Sequence, residues 1–402
     1  MSDRYVVISA DTHAGADLSD YRPYLEAKYH DAFDAWAATF VNPFTDLMRD
    51  DADRNWDSTR RTAELEADGV VAEVIYPNTI PPFFESGSLV AAVPSPEDYE
   101  LRIAGLRAHN RWMAEFCAEQ PDRRAGIGQT FLNDLDDAIA DVHWIADHGL
   151  RGGVLLPSCP PGASIEPLQS PVYDPFWRAC EERGVVLNTH GGSGSPDYGD
   201  YAASRSLWLI EAAWFAHRPL WTMIMSGVFE RFPGLRMVLA EQGNAWIPQM
   251  LANLDGIAKQ IASGNVGVMS FADQAPLLTR LPSDYWNDNC SVAASFYHVD
   301  DCRRRAEIGV DKIMWGADYP HLEGTSPFSH AAIRRTFAGV PEAEVRAMLG
   351  GNAAQIYGFD LDVLQPLADR FGPSVKEVAG GLDAIPEGAL SFAFRETVTA
   401  VL

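Results

Sequence analysis

Short apolar runs closed by glycine, proline or polar turns recur along this chain, with longer amphipathic stretches between them. The first run, Val6 to Ala10, opens directly into Asp11, Thr12 and His13. Residues 70–76, 125–131, 152–156, 185–188, 236–240, 290–295 and 312–315 carry the same signature and are predicted as further strands. Helical spacing fills 59–67, 96–120, 135–148, 174–183 and 201–229, and Pro219 predicts two helices or a kink in the last. The segment 14–58 is too long for a simple strand-to-helix connection and is expected to be functional or to hold small helices. From Gly358 onwards the chain reads as short helices broken by Pro366, Gly372, Pro373 and Pro386.

Strands that alternate with helices imply parallel pairing through crossover helices. Eight such units predict an α/β protein, a closed (β/α)8 TIM barrel over residues 1–360 with long loop insertions and a C-terminal helical extension, 361–402, packed on it. The competitor is an open doubly wound sheet, which normally carries a glycine-rich phosphate turn after its first strand. No such turn follows Ala10, and Gly191-Gly192-Ser193-Gly194 lacks the lysine of a phosphate loop.

Composition narrows the partners. Against 31 basic residues stand 56 acidic ones, a net charge of −25 that repels nucleic acid and anionic membrane surfaces. No apolar run approaches the roughly 20 residues of a membrane helix. The five cysteines are odd in number and widely spaced, which indicates neither a disulfide framework nor a metal clip, and a cytoplasmic protein is expected. A small-molecule substrate remains, and a homo-oligomer stays open.

Candidate chemistry collects at strand ends. Side chains alternate along a strand, so Asp11 and His13 point the same way. His190 follows the fifth predicted strand, Glu241 the sixth and Asp318 the eighth. In a barrel these ends share one face, where barrel active sites are built. Clustered carboxylates repel unless a cation or proton compensates, so Asp11, His13, His190, Glu241 and Asp318 are candidate ligands of one or two divalent metal ions. Two imidazoles with up to three carboxylates form an oxygen-rich set, which leaves zinc, iron and manganese all open. His321 either orients a ligand or contacts substrate; the bland alternative is a loop histidine, as for Asp11 it is a turn cap. His30, His109, His143, His148, His217, His298 and His330 are expected at surfaces or in helix packing.

In order along the chain, Asp11-x-His13, Arg-Gly-Gly-Val at 151–154, Thr189-His190-Gly191-Gly192, Trp-Gly-Ala-Asp-Tyr-Pro-His at 315–321 and Gly351-Asn352-Ala353-Ala354 before Tyr357-Gly358 resemble the amidohydrolase superfamily. The resemblance is to its amidohydrolase-related branch, which holds aminocarboxymuconate semialdehyde decarboxylase and related decarboxylases and hydrolases. It implies a metal-bearing barrel with Asp11, His13, His190 and Asp318 as ligands and Asp318 as proton acceptor for a metal-bound water. Two positions depart from the pattern. Residues 153–157 offer no bridging lysine or glutamate, which favours one metal; Glu241 stands where many members carry histidine, which reopens a second.

The leading expectation is metal-assisted hydrolysis of an amide, ester, lactone or thioester, with Asp318, Glu241 and His321 as catalytic residues. The alternative is a lyase, a non-oxidative decarboxylase of an aromatic or unsaturated acid, which needs a proton donor for the carbon and a cationic or metal anchor for the carboxylate; Arg54, Arg60, Arg61 and His321 are the candidates for these roles. A barrel that binds without turnover is the third reading. Phe44, Trp56, Phe83, Phe84 and Trp246 are expected near the barrel mouth, where they suit an apolar or aromatic group, or else pack the loops.

Overall fold

The computed structural model describes residues 2–44, 46–86, 92–157, 159–160, 162–192, 194–272 and 277–396. Ser193 and the end of the predicted extension, 397–402, lie outside them. Eight parallel strands run in chain order around a nearly closed barrel: β1 Ile8–Ala14, β2 Ala72–Pro77, β3 Arg124–Gln129, β4 Gly153–Leu155, β5 Leu187–His190, β6 Met237–Ala240, β7 Cys290–Ser295 and β8 Ile313–Gly316. The last gap closes at the mouth. Asp318 N–H donates to Asp11 O at 2.9 Å and His13 N–H to Tyr319 O at 2.7 Å, with a parallel bridge between Thr12 and Tyr319.

Period-two alternation divides the apolar residues into two cores. Ile8, Val74, Val238, Ala293 and Met314 fill the barrel, whereas Val7, Ile75, Leu239, Val292 and Trp315 face the helical layer. The end opposite the mouth is plugged by Ala353, Tyr357, Phe359 and Leu364. There Tyr357 Oη donates to Asn188 Oδ1 at 2.9 Å, and Arg151 stacks on Phe359 and donates to Gly358 O at 2.9 Å. Two of the motif pieces noted in the sequence therefore meet at the base of the barrel, away from the chemistry.

β1 breaks its own alternation. Ser9 pairs with Glu73 but Thr12 with Ile75, so one extra residue sits on β1 between them, a β-bulge. Ile8 and Ala10 point inward before it; after it Asp11 and His13 do. Without the bulge, the parity set by Ile8 and Ala10 would aim both ligand candidates at the helices.

The segment after β1 holds 3-10 turns at Leu18–Tyr24 and Ala52–Asn55 and a helix at His30–Ala37, as its length implied. Two prolines behave differently from expectation. Helix Ser204–Met225 runs through Pro219 and the chain turns instead at Gly227, in the left-handed region at φ 71°. A Cβ there would meet the Leu277 carbonyl at 2.7 Å, so glycine suits the turn, whereas Pro219 forfeits only its own N–H bond. Helix Leu361–Phe371 likewise contains Pro366 and stops at Gly372. Leu209, Ile210 and Trp214 on the long helix are exposed. Among the described residues no helix is long and apolar enough to cross a membrane, and all five cysteines are free thiols.

Candidate active site

The barrel mouth brings the predicted residues together. His13 Nε2 lies 3.3 Å from Asp11 Oδ1 and 3.2 Å from Asp318 Oδ1. His190 Nε2 is 3.4 Å from the same Asp11 oxygen, and its Nδ1 is 3.2 Å from Glu241 Oε2. Asp11, His13 and His190 offer ligand atoms within 4.8 Å of one another. Asp11 and Asp318 are fully buried. Asp11 Oδ1, His13 Nε2 and Asp318 Oδ2 are buried without a hydrogen-bond partner. Three such atoms facing one space are costly unless something satisfies them, and a divalent cation matches their charge and donor type.

Local backbone aims these side chains. Glu241 has φ 54° and Asp318 φ 56°, both left-handed, which costs about 1–2 kcal/mol for a non-glycine residue. Parity along β6, where Val238 and Ala240 face inward, would turn the next side chain outward; the left-handed backbone returns Glu241 to the mouth. Gly316 supplies room: a Cβ there would lie 2.8 Å from Asp11 Cβ and 2.9 Å from Ser295 Oγ. Ser295 Oγ donates to Asp11 Oδ2, which leaves Oδ1 facing the imidazoles.

The charges are strongly coupled. Burial opposes ionisation of Asp11, but His190 and His13 outweigh it and hold the carboxyl far below the carboxylate range. Asp318 is held low by His321 against its own burial. Burial pushes Glu241 up to about 7; His190 opposes this, and Asp318 and Asp11 add to it. Burial disfavours charge on His190, yet Glu241 and Asp11 raise it to about 9.

His321 has a defined protonation. Its Nδ1 lies 2.9 Å from Asp318 Oδ1 and its Nε2 3.1 Å from Asn78 Oδ1. Asn78 Nδ2 donates to Asn55 Oδ1, so the Asn78 oxygen is left to accept. Both ring nitrogens face acceptors and both carry hydrogen. His321 is thus an imidazolium that neutralises Asp318, its pKa raised to about 10 by Asp318 against burial.

Other expectations resolve differently. Arg61 is fully buried and committed to Glu73, with Nη2 at 2.6 Å from Oε2 and Nη1 donating to His13 O at 2.7 Å. Arg54 pairs with Asp51 and Glu64, and Arg60 with Asp53 and Glu64. All three guanidiniums named as substrate anchors are engaged by the protein's own carboxylates. Phe84 packs with Ile103, Leu106 and Phe131, Phe83 stacks near Phe33 and Trp36, and Trp246 stacks on His217 at 3.7 Å; these serve packing. His109 bonds to Tyr21, His148 stacks on Trp144 and His298 caps Asp300, so these histidines are structural.

Sequence reasoning missed Asn78, Ser295 and Glu323. Glu323 joins Glu241, Asp318 and His321 within 4.8 Å. Ser295 was legible in principle, since it ends the seventh strand with the inward parity of Ala293. Asn78 follows the Pro77 that ends β2, one residue beyond the strand.

The amidohydrolase family model matches residues 51–359. The chain belongs to the amidohydrolase family. This amidohydrolase is an enzyme of the superfamily's amidohydrolase-related branch. Its first strand, with Asp11 and His13, precedes the matched region, and the geometry rather than the match brings those residues to the centre. Gamma-resorcylate decarboxylase of Rhodococcus jostii (strain RHA1) is 26% identical over 284 residues, 67% of this chain and 81% of that protein. The 2-amino-3-carboxymuconate-6-semialdehyde decarboxylase of Dictyostelium discoideum is 24% identical over 324 residues, 76% of this chain and 77% of that one. Among solved structures, 5-carboxyvanillate decarboxylase from Novosphingobium aromaticivorans, with bound manganese and 3-methoxy-4-hydroxy-5-nitrobenzoic acid, superposes with a TM-score of 0.64 at 18% identity, covering 89% of this chain and 98% of that chain. The last likeness concerns the fold.

β4 adds nothing to the centre, since Gly153, Val154 and Leu155 supply no ligand atom from a side chain.

Proposed function

We propose that this amidohydrolase is a metal-dependent non-oxidative decarboxylase of a hydroxylated aromatic carboxylic acid. The order of the two sequence expectations is thereby reversed: the lyase, first read as the alternative, is preferred over the hydrolase. The observation that carries it is the similarity to gamma-resorcylate decarboxylase along 81% of that protein's length. The buried donor set of Asp11, His13, His190 and Asp318 is consistent with it.

Those four residues would hold one divalent ion; manganese is bound in the related 5-carboxyvanillate decarboxylase. Such an ion supplies the positive charge that fixes an aromatic carboxylate, a task for which Arg54, Arg60 and Arg61 are already committed to the protein's own carboxylates. His321, pinned between Asp318 and Asn78, keeps Asp318 ionised and oriented. Glu241 stands across His190 from Asp11, and burial with two neighbouring carboxylates raises its pKa toward neutrality against the pull of His190, the range in which a carboxyl can both give and regain a proton. The bond between the ring carbon and the carboxylate breaks, carbon dioxide leaves, and the electron pair left on the ring carbon takes the Glu241 proton. A proton from bulk solvent returns to Glu241, so each turnover consumes one proton for every carbon dioxide released.

The test is incubation of manganese-loaded protein with gamma-resorcylate and other hydroxybenzoates. The expected outcome is one carbon dioxide per phenol formed. Cleavage of an ester or lactone panel, with no carbon dioxide from any acid, would return the assignment to metal-assisted hydrolysis.

A further inference from the structure

Beside the centre lies a cavity of about 350 Å3 that no step above uses. Its walls are Leu18, Phe40, Leu47, Trp56 and Ile80. Three lining positions lie near the centre along the chain: Ala16 is three residues past His13, Thr79 follows Asn78, the partner of His321, and Trp56 follows Asn55, the partner of Asn78. The cavity is thus built from the insertion after β1 and the loop after β2, against the mouth of the barrel.

Its polar members are engaged in part, and the one charged group among them, Asp17, is anionic. Thr79 Oγ1 bonds to Tyr21 Oη, which also accepts from Ala16 N–H at 3.1 Å and contacts His109 Nδ1 at 2.6 Å. Asp17 Oδ1 accepts from Leu18 N–H at 2.6 Å, and Asn42 Oδ1 from Phe44 N–H at 3.0 Å. No lysine, arginine or histidine lines the space, so nothing in it would welcome a carboxylate or phosphate. Ala16 and Thr79 are buried, whereas Val41 and Met48 are 62% and 60% exposed, an apolar rim left in water. An apolar ligand group would remove that rim from solvent.

We infer that this cavity receives an apolar substituent, an alkyl chain or a second ring, carried by the aromatic acid whose carboxylate sits at the metal centre. The inference rests on the decarboxylase reading for the identity of the anchored acid and extends it: the substrate is larger and more apolar than a simple dihydroxybenzoate. The insertion after β1 then determines specificity.

The test is calorimetric binding to manganese-loaded protein, without turnover, of benzoate, phenol and gamma-resorcylate, each against its ring-propylated forms. At least one propylated isomer of a parent is expected to bind more tightly, by about fourfold per methylene buried. Ile80→Trp, which fills the cavity, and Val41→Lys, a change at an exposed position that charges its rim, should each collapse the ratio of propylated to parent affinity. Propylated ligands that bind no tighter than their parents, including the case where neither binds, overturn the proposal. So does a preference that survives both variants. Because the ratio is read from binding, absence of carbon dioxide release condemns the decarboxylase reading alone and leaves the cavity to be judged on its own result.

Discussion

Past its bulge, β1 presents two clusters of buried charge on opposite faces. Outward, Thr12 Oγ1 donates to Glu73 Oε2 at 2.9 Å, and Glu73 is clasped by Arg61, with Arg124 at 3.6 Å. Inward, Asp11 and His13 meet His190 and Asp318. Both clusters are buried and both contain carboxylates. In the outer one the guanidiniums overcome burial and lower the Glu73 pKa, and neither carboxylate oxygen is left over. In the inner one three polar atoms have no hydrogen-bond partner. Burial of charge therefore does not mark a functional site; an unfinished donor set does.

Asp318→Asn breaks the inner cluster and gives the largest expected effect. The amide keeps the shape but loses the charge that His321 balances, so the fold should persist while turnover falls about a thousandfold or more. Steady-state rates beside a circular dichroism spectrum check it, and near-normal turnover would remove Asp318 from the mechanism. Arg61→Met breaks the outer cluster. It strands Glu73 without its main partner and frees His13 O, so stability should drop by about 3–5 kcal/mol, measured by urea unfolding. Metal content per folded chain should stay as in the parent. In the parent, Glu73 has a depressed pKa, so its contribution is present above the usual carboxyl range and fades as pH falls through that range and below; in Arg61→Met that acid-side loss should shrink.

Metal binding sharpens the contrast from the other side. Manganese at about a hundred times its dissociation constant should stabilise the protein by about 2.7 kcal/mol. Asp11→Asn should abolish that increment in a thermal melt, whereas Arg61→Met should retain it. An equal increment in both variants would place the ion elsewhere.

What the sequence made legible follows the same division. The eight strands were visible because each is an apolar run punctuated by glycine or proline, and the ligand candidates because each follows such a run. Their aim was not. Alternation from Ile8 and Ala10 sends Asp11 outward, and only the bulge reverses it; Glu241 depends on a left-handed residue that no period reveals. Arg61 looked available as a substrate anchor because its partner Glu73 is distant enough in sequence to hide the pair. Asn78 and Ser295 have no signature of their own and act through His321 and Asp11. Prolines misled because helices Ser204–Met225 and Leu361–Phe371 tolerate the loss of one backbone bond when the rest of the helix is packed.

A third buried carboxylate completes the comparison and carries the smallest expected effect. Among the described residues Asp68 joins no metal-ligand cluster and meets no guanidinium; Ser329 N–H donates to its Oδ1 at 2.8 Å, and Oδ2 is buried without a hydrogen-bond partner there. Burial pushes its pKa up to about 7, only partly opposed by Ser329. The folded state then holds the proton more tightly than the unfolded chain, whose carboxyl titrates near about 4. Stability from this group is therefore greatest below about pH 4, falls as pH rises toward 7, and is flat above that. The full shift is equivalent to about 4 kcal/mol. Asp68→Asn removes that loss but buries an amide nitrogen without a partner, which costs about 2 kcal/mol. The variant should thus be more stable than the parent by about 2 kcal/mol at pH 8 and less stable at pH 4, with the crossover between them. Urea midpoints at both pH values measure this. A parallel pH dependence in parent and variant would show that Asp68, like Glu73, has found a compensating partner.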